Sequence, residues 1–138
     1  MLERGRRQIA GFYFGGDLFG LERGSHTLAA QAITDAKVRS VKKQALTALV
    51  ASDVEVSDHL LSLTARELAR KQELLLFLSR GSQERVIYFL LERAQRISPR
   101  EDRIDLPMSR QDIADYLGLT IETVCGCFGT LNGGAQSK

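Results

Sequence analysis

The sequence is poor in the residues that build covalent or metal-held scaffolds. Cysteine and histidine occur twice each in 138 residues. Cys125 and Cys127 stand one residue apart near the C-terminus, far from any partner, so neither a disulfide framework nor a four-ligand metal site can be assembled. Both read as free thiols. His26 and His59 lie far apart and form no metal or triad geometry, so both read as surface residues. No activated nucleophile, carboxylate pair or phosphate loop supports an enzyme. No run approaches the roughly 20 apolar residues of a membrane span, and the stretch from Met1 to Arg7 lacks the apolar core of a secretory signal. A cytoplasmic protein with no membrane partner is expected.

Basic residues are also scarce where a nucleic-acid contact would need them. The net charge is +2. From Ser109 onward the bases are Arg110 and Lys138, against Asp112, Asp115 and Glu122. A segment that neutralises many phosphates is normally more basic than this. The charge balance therefore argues against strong nucleic-acid affinity.

What is present is a globular composition, with 43% hydrophobic and 26% charged residues. Residues 8–41 contain short apolar or alternating runs, including Ile9 to Phe14 and Leu28 to Ile33, broken at Gly15-Gly16, at Gly24 and at Thr34-Asp35. Such runs predict a small antiparallel β unit with open edges. From about Ser52 to Leu78 there is no glycine or proline, and Val54, Leu61, Leu68 and Leu75 recur every seven residues, with Ala65, Leu74 and Leu78 beside them. This spacing predicts a long helix paired with a second copy; the alternative is a core helix lying on the β unit. Gly81 breaks the pattern. Ser82 is placed to cap another helix through Ile97, which Ser98-Pro99 ends, and residues 100–107 form a charged connector.

The stretch from Ser109 to Leu131 reads as two short helices around a tight turn. Ser109 and Asp112 form a capping-box-like pair, Ala114 is small where helices must cross, Gly118 suits a left-handed helix end, and Thr120 can cap the second helix. Ile113, Leu117, Leu119, Val124, Phe128 and Leu131 supply the apolar faces. This is the spacing of a helix-turn-helix, with an ordinary helical hairpin as the alternative. If it reads DNA, Ile121, Glu122, Cys125 and Gly126 face the bases, while Arg110 and Gln111 face phosphates. Cys127 is expected to serve the core.

Three stretches, "GRRQIAGFYFGGDLFGLERG", "TARELARKQELLLFLSRGSQERVIYFLLERAQR" and "LPMSRQDIADYLGLTIETV", occur in one order over residues 5–124. In this the chain resembles the Crp/Fnr family of transcription regulators, most closely its FixK-like nitrogen-fixation branch. The resemblance implies an α+β protein: a partial β-roll of the cyclic-nucleotide-binding kind over 1–51, a dimerisation helix over 52–78, and a Crp-type helix-turn-helix DNA-binding domain, an incomplete winged helix, over 79–138. It implies a dimer that binds a palindromic site in double-stranded promoter DNA and acts as an activator with RNA polymerase. The implied DNA-binding set is Ser109, Arg110, Gln111, Thr120, Ile121, Glu122, Thr123, Cys125 and Gly126. The implied dimer contacts are Val54, Leu61, Ala65, Leu68 and Leu75.

Two departures qualify these expectations. The chain starts inside the β-roll, and at the serine and arginine positions of the family's Glu-x-x-Ser-Arg reading helix it has Cys125 and Gly126. Losing that arginine removes a guanine contact worth about 1–3 kcal/mol. Gly126 and Gly129 each cost a helix about 1 kcal/mol relative to alanine. Weakened DNA binding and a frayed reading helix are expected. The segment after Gly16-Asp17-Leu18 has no arginine for a cyclic nucleotide phosphate, and no cysteine before Cys125 can hold an iron–sulfur cluster, so no cofactor is expected. Oxidation of Cys125 would add bulk and charge on the DNA face, a redox brake. Besides the regulator, two other functions fit the sequence: a shortened subunit that pairs with full-length relatives and sequesters them, and a small-molecule sensor fragment.

Overall fold

The computed structural model describes residues 5–22, 24–97, 99–100 and 103–135. Among them lie five helices and no strand: α1 (Lys43–Ser52), α2 (Val54–Leu78), α3 (Ser82–Ile97), α4 (Arg110–Leu117) and α5 (Ile121–Ala135). The chain divides into two compact units, one of residues 13–73 and one of residues 1–12 with 74–138.

The absence of strands corrects the α+β assignment and its partial β-roll over residues 1–51. Hydrophobic alternation alone does not make a strand, because a strand needs a neighbour to take its backbone hydrogen bonds. Gly16, Gly20 and Gly24, with φ of 88°, 77° and 89°, turn the chain about every four residues. At the first of these turns Asp17 N–H donates to the Phe14 carbonyl, and the Asp17 carboxylate accepts from Phe14 N–H at 2.8 Å. Residues 24–45, which include the Leu28 to Ile33 run, are exposed throughout. The end of the supposed roll is helix instead. Thr47 Oγ1 donates back to the Lys43 carbonyl within α1. Lys43 itself reaches the Glu22 carbonyl, and His26, an exposed residue, pairs with Glu22 at 3.0 Å.

Asp53 separates α1 from α2 and serves both. Its extended backbone stops α1, with its N–H bonded to the Leu49 carbonyl. Its carboxylate then accepts from Glu55 N–H and Val56 N–H at 2.9 and 3.3 Å, capping α2. The 25 residues of α2 span about 37 Å. Along it Val54, Leu61, Leu68 and Leu75 are 83%, 67%, 60% and 67% exposed, and Ala65 is exposed with them.

In the other unit, α3 begins at Ser82 with Gly81 in the cap position, where its carbonyl accepts from Arg85 N–H. Val86 and Phe89 of α3 are buried with Ile113, Ala114 and Leu117 of α4 and Val124 and Cys127 of α5. Full burial of each larger apolar side chain contributes roughly 1.5–3 kcal/mol. The Phe77 and Tyr88 rings stack at 4.1 Å between centroids. Ser98, which was to end α3 with Pro99, lies outside the described residues, as does Lys138.

Candidate nucleic-acid interface

Local chemistry fixes α4 at both ends. Ser109 Oγ accepts from Asp112 N–H at 3.1 Å, and the Asp112 carboxylate accepts from Ser109 N–H at 3.0 Å, a complete capping box. Burial pulls the Asp112 carboxyl upward, but hydrogen bonds from Arg7 and from the Ser109 backbone and hydroxyl outweigh it and hold it below its ordinary 3.8. At the other end Gly118 adopts φ 65° and ψ 35°, the left-handed conformation that closes a helix at little cost only for glycine. Thr120 Oγ1 accepts from Thr123 N–H at 3.2 Å and starts α5.

The helices pack through Ala114, which is fully buried and small enough for the crossing. α5 runs unbroken through Gly126 and Gly129 to Ala135, in place of the expected frayed helix. Glycine weakens a helix by its own propensity, but Val124 and Cys127 are buried and anchor both sides of Gly126. Tertiary packing outweighs propensity here.

The outward surface carries the residues assigned to DNA. Ser109, Arg110, Gln111, Thr120, Ile121, Glu122, Cys125 and Gly126 are exposed, and Thr123 is half-buried with its hydroxyl 2.8 Å from that of Thr120. Arg110 and Gln111 lie on the first turn of α4; the Gln111 amide donates to Asp115 Oδ1 at 2.8 Å. No base occurs on the described part of α5, whose one charged residue is Glu122.

Sequence reasoning missed the residues behind this face. Arg7 donates to Asp112 Oδ1 at 2.6 Å and stands 3.5 Å from Asp115 Oδ2. Arg93 is buried among rings, 5.2, 5.0 and 5.6 Å from the centroids of Phe12, Phe89 and Tyr116, with its Nε 3.2 Å from Glu92. Burial lowers its affinity for a proton, and Glu92 offsets this only in part. Only the apolar face of α3, on which Arg93 is an anomaly, could have hinted at this cage. Among the described residues no group of histidine, cysteine and carboxylates could hold a metal ion, and no helix is long and apolar enough to cross a membrane.

The profile of the Crp-like helix-turn-helix domain matches residues 84–133, the span of α3 to α5. The nitrogen fixation regulation protein FixK of Azorhizobium caulinodans is 46% identical over 126 residues, 87% of this chain and 51% of that protein. The fumarate and nitrate reduction regulatory protein of Escherichia coli is 34% identical over 136 residues, 92% of this chain and 54% of that protein. This chain thus spans about half the length of these curated relatives. The solved structure of FixK2 from Bradyrhizobium japonicum superposes with a TM-score of 0.86 at 46% identity, covering 98% of this chain and 69% of that one. With a capped helix pair of this geometry and relatives of this identity, the chain belongs to the FixK-like branch of the Crp/Fnr family of transcription regulators.

Proposed function

We propose that the chain is a transcription regulator that binds double-stranded promoter DNA as a dimer, through α4 and α5. The observation that carries this reading is the helix pair itself: its buried side is anchored at Ile113, Ala114, Leu117 and Val124, and Glu122, Cys125 and Gly126 are left facing outward. In this reading α5 enters the major groove, Glu122 accepts from a cytosine amino group, and Arg110, Gln111, Ser109, Thr120 and Thr123 meet the phosphates. The residues over 79–138 form the DNA-binding domain and those over 52–78 the dimer helix. The four leucine and valine positions exposed along α2 support pairing with a second copy, since an apolar heptad row in water is stabilised by a partner. A palindromic site matches such a two-fold dimer. RNA polymerase is the further partner the family implies, and the cytoplasm is the place of action.

Affinity is modest in this proposal, because α5 presents no cation to the bases. A second reading draws on the same fact: the chain pairs through α2 with a full-length relative and withholds that partner from DNA. A gel shift on a duplex with two half-sites about one helical turn apart, repeated from 50 to 200 mM salt, decides between them. A regulator gives a shift that weakens steeply with salt. No shift, together with co-purification of a full-length relative, supports the sequestering form. Cys125, exposed on the reading face, is the proposed site of a redox brake. Operator affinity unchanged after peroxide treatment removes that role.

A further inference from the structure

Residues 5–12 precede α4 by about a hundred positions, yet they belong to its compact unit. The segment touches α4 at Asp112, Asp115 and Tyr116. Arg7 bridges Asp112 and Asp115, at 2.6 and 3.5 Å. Ile9 N–H donates to the Asp115 carbonyl at 3.4 Å. Arg6 donates to the carbonyl of Leu119, in the turn that leads to α5. At the far end the Phe12 ring lies 5.2 Å from that of Tyr116 and 6.2 Å from that of Phe89, under the Arg93 guanidinium. Backbone, charge and aromatic contacts all act on one eight-residue helix.

The charges give these contacts a purpose. Between Ser109 and Ala135 the bases number one, Arg110, against Asp112, Asp115 and Glu122. Asp112 and Asp115 lie within one and a half turns of Arg110 and Gln111, on the helix whose start would meet the phosphates. Without Arg7 a polyanion approaching that end would meet two uncompensated carboxylates. Arg7 answers both, and its side chain remains 52% exposed while that of Asp115 is 3% exposed. Removing it would leave a buried charge without its cation, a costlier event than loss of a surface pair.

We infer that Arg6 to Phe12 forms a strap that holds the helix-turn-helix in its DNA-binding shape and neutralises its acidic flank, which makes Arg6, Arg7 and Phe12 positioning residues of the interface. The inference rests on the DNA-binding reading for its purpose, but the strap itself can be measured without DNA. Arg7→Ala, Arg7→Lys and Phe12→Ala are made in the full chain. Amide hydrogen exchange of Ile113 to Leu117 is followed first, then the gel shift on the two-half-site duplex.

The strap predicts that Arg7→Ala and Phe12→Ala speed α4 exchange about tenfold and weaken the shift roughly three- to tenfold, while Arg7→Lys keeps most of both. Exchange unchanged in both Arg7→Ala and Phe12→Ala overturns the strap, whether or not DNA is bound. Faster exchange with an unaltered shift overturns its positioning role. If the parent chain shifts no duplex, the DNA-binding reading fails on its own, and exchange alone decides whether the strap exists.

Discussion

The guanidinium of Arg110 lies over the ring of Phe128, its central carbon 3.4 Å from the ring centroid. The contact joins the first residue of α4 to the middle of α5, so the start of one helix, proposed to meet phosphates, is oriented by the apolar side of the other. A cation over an aromatic face is held by the ring quadrupole, about 0.5–1 kcal/mol where water has access. Phe128→Ala removes the platform and part of the apolar anchor of α5. Thermal melting should fall by several degrees and operator affinity by roughly three- to tenfold, with Phe128→Trp close to the parent in both. An Arg110→Ala variant that binds DNA as well as the parent would remove Arg110 from the interface.

Gly126 offers the opposite experiment, a gain. A Cβ added there meets nothing within 4 Å. Gly126→Ala should therefore raise stability by about 1 kcal/mol through helix propensity alone. Gly126→Arg should do the same and, if α5 enters the major groove as proposed, also supply the cation that its outward side lacks, tightening binding to a guanine-containing palindrome by roughly ten- to a hundredfold. Comparing the two variants by chemical melting and gel shift separates helix stability from base contact. Equal affinity for both would mean that position 126 does not face a base.

What could be read in advance was what is local in the chain. The Ser109–Asp112 box, the left-handed Gly118 and the Thr120 cap each act across three or four residues, so the sequence states them directly, and the turn between α4 and α5 follows. The seven-residue row along α2 is legible for the same reason. The β-roll was misread because strand formation is not local: the runs at Ile9 to Phe14 and Leu28 to Ile33 have the right alternation but, among the described residues, no neighbouring strand. α1 was missed because no side chain caps its start; Leu46, Leu49 and Val50 do stand at helical spacing, but no residue of the helix is buried. The pairing of Arg7 with Asp112 could not be seen, since nothing in either neighbourhood marks the other. Arg93 was hidden by its type, as a charged residue is expected in water and here sits 2% exposed among three rings.

The exposed row on α2 predicts a concentration-dependent assembly. If Leu61 and Leu68 pack against a second copy, Leu61→Glu with Leu68→Glu puts four carboxylates into one apolar seam. Sedimentation should then show a dimer for the parent chain at about 10 µM and a monomer for the double variant, with helix content nearly unchanged. Binding to a two-half-site duplex should fall by about a hundredfold or more, because each half-site must then be found independently. A parent chain that sediments as a monomer at that concentration removes the dimer from the proposal.

The Asp112 carboxyl links the fold of the helix-turn-helix unit to pH with a definite sign. It sits below its ordinary 3.8 because, against the upward pull of burial, Arg7 and Ser109 hydrogen-bond its charged form. A group whose folded value is depressed stabilises the fold above the unfolded value and loses that contribution as pH falls through the folded one. Stability measured by urea melts should thus be level from about pH 7 to 5 in respect of this group, then decline below about 4 as the capping box and the Arg7 bridge are discharged together. Asp112→Asn, which keeps the shape but not the charge, should be less stable at neutral pH and show a shallower acid decline. Arg7→Ala should also flatten the decline, since the carboxyl then returns toward its ordinary value. Parallel acid limbs for the parent and Asp112→Asn would mean that Asp112 does not carry the pH dependence.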